Sequence, residues 1–259
     1  EPATNNILFG LEQVVCTPHL GASTSEAQEN VALQVAEQMS DYLINGTITN
    51  ALNMPSVSAE EAAKLKPYLA LAEVLGKFAG QMATAIKSIK IEYSGNAAKL
   101  NTKAITSVVL KGVLENIAEG VNMVNAPAVA KERKIDVAEV KNEDAKDYAN
   151  LIRISVDGAS VAGSVLGKGK PRLVEINEFP LEAAIGKTLL YVKNEDKPGL
   201  IGNVGTILGN NKINIANFHL GRSDTGAVAL IEVDGDLSDK VMGEISKVPT
   251  VILAKVFRF

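Results

Sequence analysis

The sequence predicts a chain of mixed α/β and α+β class, and three observations carry that prediction. Residues 187–259 alternate strand-like and helix-like runs in the order βαββαβ. Residues 55–186 mix amphipathic helical runs with strand candidates separated by Gly turns. Residues 1–54 read as a short strand, a loop and a helix, the layout of an α/β enzyme whose functional groups lie beyond strand ends.

The third region is the most regular. A strand is expected over Lys187 to Glu195, broken by Pro198 and Gly199, which start a helix. Leu200, Ile201, Val204, Ile207 and Leu208 give that helix an apolar stripe of period 3.6, and Gly209 with Asn210–Asn211 ends it. A second strand starts near Lys212, and a turn at Ser223–Gly226 leads to a third over Ala227 to Val233. A helix carrying Leu237, Val241, Ile245 and Val248, capped by Asp236 or Ser238, precedes a last strand over Val251 to Phe259. Together these make a ferredoxin-like unit.

An acidic residue before Lys–Pro–Gly, and Asn–Ile early in the second strand, make residues 187–259 resemble an ACT domain, a small amino-acid sensor that works in pairs. Its fit to a ligand has a local cause. Backbone N–H groups at a helix start favour an anion such as a carboxylate, and Asp196 would hold an ammonium by a charge-assisted bond. Resemblance to serine-sensing members makes Asn194, Asp196, Gly199, Leu200 and Asn214 the effector contacts, Asn214 coming from a neighbouring subunit. The plain alternative is that Asp196 caps the helix and Asn214 ends a turn. The sensor reading requires that the Asp196 carboxylate not be drawn into an internal ion link.

Composition narrows the class. The chain has 259 residues, 46% of them hydrophobic, enough for about two domains with true cores. A net charge of −4 argues against a nucleic-acid partner. The single Cys16 excludes an internal disulfide and a Cys-based zinc site, and no metal site is expected. No apolar run approaches a membrane span and no signal peptide is evident, so a cytoplasmic protein without a membrane partner is expected. The start at Glu1–Pro2, without Met, suggests processing or truncation of a larger polypeptide.

In residues 1–54, Val14–Val15 reads as a short strand and Thr17–Pro18–His19 as a loop. Ser23 and Glu26 form a capping box before a helix with Ala27, Val31, Val35 and Met39 on one face, ended by Asn45–Gly46. The phrase TPHLGASTSEAQ closely resembles the last catalytic segment of NAD-dependent D-2-hydroxyacid dehydrogenases, most nearly those acting on 3-phosphoglycerate. The resemblance implies that His19 is the general acid/base of hydride transfer and that His19, Leu20, Gly21 and Ala22 face the NAD cofactor. No G-x-G-x-x-G follows a strand; Gly199, Gly202 and Gly205 are spaced G-x-x-G-x-x-G inside a helix. The chain alone is therefore expected to lack turnover, although the parent polypeptide would be a dehydrogenase.

Residues 55–186 begin after a linker containing Pro55, with Ser58 and Glu61 as a second capping box and a helix restarted at Pro67. Leu69, Ala72, Leu75, Ala79 and Met82 follow at helical spacing, and Ile86 to Tyr93 alternates as a strand. A long helical region is expected from Asn101 through Val124, restarting at Asn125–Ala126–Pro127. Strands are expected over Leu151 to Val156, Ser160 to Leu166 and Arg172 to Glu178. By position this region resembles the intervening, allosteric substrate-binding domain of the long type of that dehydrogenase family. Lys168, Lys170 and Arg172 around a Gly turn are a candidate anion site, against the alternative of a solvated hairpin tip. His219 is expected to be a structural or interface group.

The domain division expected is 1–54, 55–186 and 187–259. The function it implies is the regulatory part of a serine-biosynthetic dehydrogenase, bound by L-serine or another small amino acid and oligomerising through its ACT domains. Coupling to the catalytic part is expected through residues 45 to 58. The competing readings are an amino-acid-binding regulatory subunit related to serine dehydratase, and a module that only oligomerises.

Overall fold

The computed structural model describes residues 3–45, 48–52 and 59–259. The chain divides into two compact units, one through Ala62 and one from Ala63 to Phe259.

The first unit contains α1, Ser25–Asn45. The Thr24 hydroxyl accepts the Ala27 N–H at 3.1 Å, so Thr24 is the N-cap, whereas the Ser23 hydroxyl donates back to Leu20 O at 2.9 Å. The capping box expected at Ser23 is thus shifted by one residue, because Ser23 closes its own turn. No strand forms at Val14–Val15, where the backbone is irregular; among the described residues no neighbouring strand is there to pair with it. The apolar stripe of α1 is exposed at Val31, Val35, Met39 and Leu43.

The division falls within α2, Ala59–Met82, which runs unbroken through Pro67. The expected restart is therefore absent: Pro67 sits inside the helix. The Ser58 part of its capping box lies outside the described residues, as does most of the segment expected to carry coupling. Then follow β1 Ser88–Gly95, α3 Thr102–Leu114, α4 Ala126–Glu132, β2 Asp136–Asn142, β3 Asn150–Val156, β4 Ala159–Leu166, β5 Lys170–Ile176 and β6 Phe179–Ala183. The helix from Asn101 stops at Leu114 rather than near Val124. Asn122 Oδ1 accepts the Val124 and Asn125 N–H groups and Asn125 Oδ1 accepts that of Asn122, so side chains replace the helical ladder.

These strands form one sheet in the order β2-β1-β3-β4-β5-β6, with β1 and β2 parallel and the remaining pairs antiparallel. Ile89, Ile91, Tyr93, Ile152 and Ile154 alternate onto the face that is buried with Leu71, Leu75, Ile105 and Val109 of α2 and α3. The two helices cross at glycines. A Cβ on Gly76 would stand 2.6 Å from Val109 O, and one on Gly112 2.7 Å from Lys77 N. Only a residue without a side chain permits this approach.

The last module is β7 Thr188–Asn194, α5 Leu200–Asn210, β8 Asn214–Ser223, β9 Gly226–Asp234, α6 Asp239–Ser246 and β10 Val251–Arg258. Its antiparallel sheet has the order β10-β7-β9-β8, which leaves β8 at an edge. Ser238 caps α6, accepting from Val241 N. Leu190, Val192, Ala229 and Ile231 bury one face with Val204 and Leu208 of α5 and Val241 and Ile245 of α6. The opposite face meets α2, where the Phe78 and Phe257 rings stack at 4.2 Å. Gln81 locks the contact, donating to Arg258 O at 2.9 Å and accepting Arg258 N at 3.0 Å. The class expected from the sequence, α/β and α+β with a βαββαβ end, is the one observed.

Candidate functional site

The polar residues expected to bind an effector gather at one end of the four-stranded sheet, with one exception. Asn194 closes β7 and is 1% exposed. Its Nδ2 donates to Ala227 O at 3.2 Å and its Oδ1 accepts the Asp196 N–H at 2.9 Å. It thus pins the turn from within.

That turn holds Asp196 at φ +53°, in the left-handed region that few non-Gly residues adopt. Gly199, at φ +105°, starts α5, and no side chain caps the helix there. Its N-terminal N–H groups and dipole therefore face the loop. Leu200 is buried and anchors the helix in the core, so toward the loop it offers only its backbone. Glu195 and Lys197 pair with each other at 2.7 Å, and this hydrogen bond raises the Lys197 pKa.

The Asp196 carboxylate is engaged. Its Oδ2 accepts Nε of Arg222 at 2.9 Å and Nη2 at 2.7 Å. This bond first, and the charge of Asp196 second, raise the pKa of the guanidinium. The expectation of a carboxylate outside any internal ion link is corrected by that pair. Arg222 was not among the predicted contacts. Strand register brings it there: it pairs with Ala227, which also faces Asn194, so a base on β8 meets the acid beyond β7.

Asn214 lies elsewhere. It opens β8 opposite Asp234 and donates to that carboxylate at 2.7 Å. Seven steps along β9 separate this position from Ala227, about 23 Å at strand rise. Within one chain, Asn214 and Asp196 are not brought together. His219 is half-buried on β8, in register with Leu230.

The other candidates lie on other elements of the chain. His19 sits in an exposed loop, and Leu20, Gly21 and Ala22 turn into the start of α1, with Ser23 N donating to Leu20 O. Lys168 and Lys170 are exposed at the β4–β5 hairpin, whose Gly167 and Gly169 take positive φ. Arg172 is half-buried and donates to Pro171 O at 3.1 Å. Among the described residues no cluster of His, Cys, Asp or Glu could hold a metal ion. Nor is any helix among them long and apolar enough to cross a membrane.

Fold and site together define a ferredoxin-like βαββαβ module joined to a mixed α/β domain. Comparison with known proteins agrees with both parts. Residues 64–177 match the family model of the D-3-phosphoglycerate dehydrogenase intervening domain, and residues 188–250 match that of the ACT domain. The chain is 38% identical to D-3-phosphoglycerate dehydrogenase of Bacillus subtilis, over 99% of this chain and 50% of that protein. Identity to the enzymes of that name from Synechocystis and Methanocaldococcus jannaschii is 37% and 36%, over 96% and 97% of this chain and 46% and 49% of those proteins. The chain thus carries a D-3-phosphoglycerate dehydrogenase intervening domain and an ACT domain, and it spans about half the length of these relatives.

Proposed function

We propose that the chain is the regulatory portion of an NAD-dependent D-3-phosphoglycerate dehydrogenase of serine biosynthesis. In this reading residues 1–54 end a catalytic region, 55–186 form the intervening domain, and 187–259 form an ACT domain that takes L-serine as a feedback effector. The exposed stripe of α1 supports the first part, since an amphipathic helix buries such a face against another body.

One observation carries the effector reading: β8 is an edge strand with Arg222 and Asp196 at one end and Asn214 at the other. Two copies pairing their β8 edges antiparallel would bring Asn214 of each toward the Asp196 end of the other. The condition of an unlinked Asp196 carboxylate is not met, so this reading holds only if the amino acid displaces Arg222; it would then find an acid for its ammonium and an uncapped helix start for its carboxylate. Calorimetric titration of the chain with L-serine tests this. Saturable binding is expected, weakened roughly tenfold or more by Asp196→Ala and separately by Asn214→Ala. Equal binding by wild type and Asp196→Ala would remove Asp196 from the site.

His19 would serve the parent enzyme as general acid/base, with Leu20, Gly21 and Ala22 toward the cofactor. The residues present do not fit a dinucleotide cradle: the Gly199, Gly202, Gly205 series lies in and before α5, not after a Rossmann-type strand in a G-x-G-x-x-G turn. The chain alone is expected to oxidise no NADH with phosphohydroxypyruvate. The hairpin bearing Lys168, Lys170 and Arg172 would take an anion by charge.

A second reading, an assembly module without effector, is favoured by the Asp196–Arg222 pair, which satisfies the carboxylate internally.

A further inference from the structure

We infer that Arg222 recognises the carboxylate of the amino-acid effector, and that its ion pair with Asp196 is a resting state which the effector displaces. This rests on the effector reading above and assigns the site a cation of its own.

The two halves of the pair are held very differently. Asp196 is fixed by its turn: Asn194, buried, accepts its N–H, and the backbone is pinned at positive φ. Arg222 is a long side chain at the end of an edge strand, 67% exposed. Both of its contacts converge on one oxygen, Oδ2, instead of spreading over the two oxygens as a fork-to-fork pair does. The carboxylate would therefore stay and the guanidinium would move. An exposed pair of this kind contributes little net stability, so parting it costs little.

Charge selects the displacing ligand. A simple cation would compete for Asp196 but leave Arg222 unpaired. A zwitterion placed between them replaces one ion pair with two, its ammonium on Asp196 and its carboxylate on Arg222, and the net charge of the group does not change. The other cation of the loop, Lys197, is held by Glu195. Arg222 also has the planar donor edge that suits a carboxylate.

The test is calorimetric titration of the wild-type chain and of Arg222→Gln with L-serine and L-serinamide, at about pH 6, where α-amino groups are charged. Serinamide keeps the ammonium and lacks the carboxylate. Wild type is expected to prefer serine by roughly tenfold or more, and Arg222→Gln by no more than about threefold. Serinamide binding should survive in Arg222→Gln, since the competing guanidinium is gone; its loss would overturn the proposal. An unchanged serine-to-serinamide ratio in Arg222→Gln would overturn the role of Arg222 and leave the effector reading standing. Failure of wild type to bind serine at all would remove that reading and this inference together. Arg222→Lys, which keeps the charge, should lie between the two, and thermal melts check that each variant is folded.

Discussion

The six-stranded and four-stranded modules each hold an arginine–carboxylate pair, and the two pairs are built to opposite ends. Arg153 of β3 reaches across Ala162 of β4 to Glu175 of β5. It bonds fork to fork, Nη1 to Oε1 and Nη2 to Oε2, the latter at 2.9 Å. Glu92 of β1 stands 3.9 Å from Nε, and both partners are mostly covered, at 27% and 28% exposure. Arg222 has one oxygen, an edge strand and open water. The glycines within helices divide in the same way. Gly76 and Gly112 are wedged between helices, whereas a Cβ on Gly205 of α5 would meet nothing within 4 Å. The helices of the first module are wedged together, whereas α5 of the second has open space beside its glycines.

Breaking the tight side gives the largest effect. Gly112→Val would drive side-chain atoms into Lys77 N and Glu73 O, and unfolding stability is expected to fall by about 3 kcal/mol. Urea denaturation would show it, and a loss under about 1 kcal/mol would mean that the helices part easily. Next comes Arg153→Met, which leaves Glu175 without its forked partner; a loss of about 1.5 kcal/mol is expected by the same measurement.

Acid probes the same module. Glu73 of α2 has its pKa lowered, first by the hydrogen bond from Lys111 of α3 at 2.9 Å. A carboxyl lowered in the folded state adds stability above its unfolded value, and that stability is lost as pH falls through the folded value. The loss belongs below about pH 4.5, the ordinary value of such a group. Glu73→Gln should flatten the stability profile in that range; a profile parallel to wild type would show the pair to be inert.

How far the sequence foretold these modules depends on period and burial. The βαββαβ end was legible because α5 carries a full apolar stripe and its strands are bounded by Pro198–Gly199 and Gly226. Strands β2 and β6 were not. Each lies at a sheet edge, β2 carrying Asp136, Glu139 and Lys141 without strict alternation and β6 carrying Pro180, so neither shows the pattern of a covered strand. Thr24 and Asn122 were misjudged because capping depends on which of several neighbouring polar side chains reaches the backbone. At the candidate site, the turn from Asn194 to Leu200 was legible as a local motif. Arg222 was not, since it meets Asp196 through strand pairing 26 residues away and no spacing rule signals that.

On the open side, a smaller effect of opposite sign is expected. Gly205→Ala replaces a mid-helix glycine where nothing obstructs a methyl group, and should raise stability by about 0.5–1 kcal/mol. A loss instead would mean that α5 is covered in solution by something its glycines admit.

The smallest expected effect separates the two arginines most sharply. Arg222→Met removes an exposed pair and should leave unfolding stability within about 0.5 kcal/mol of wild type, against the larger loss for Arg153→Met. The two substitutions are chemically identical, so the difference between them reports only what surrounds each arginine. Were Arg222→Met to cost as much as Arg153→Met, the pair with Asp196 would be a fixed brace of the β7–α5 turn. A zwitterion could not then displace it cheaply, and the module would be better read as an assembly surface. A near-zero cost, together with changed discrimination between serine and serinamide, would show an arginine retained for recognition instead of stability.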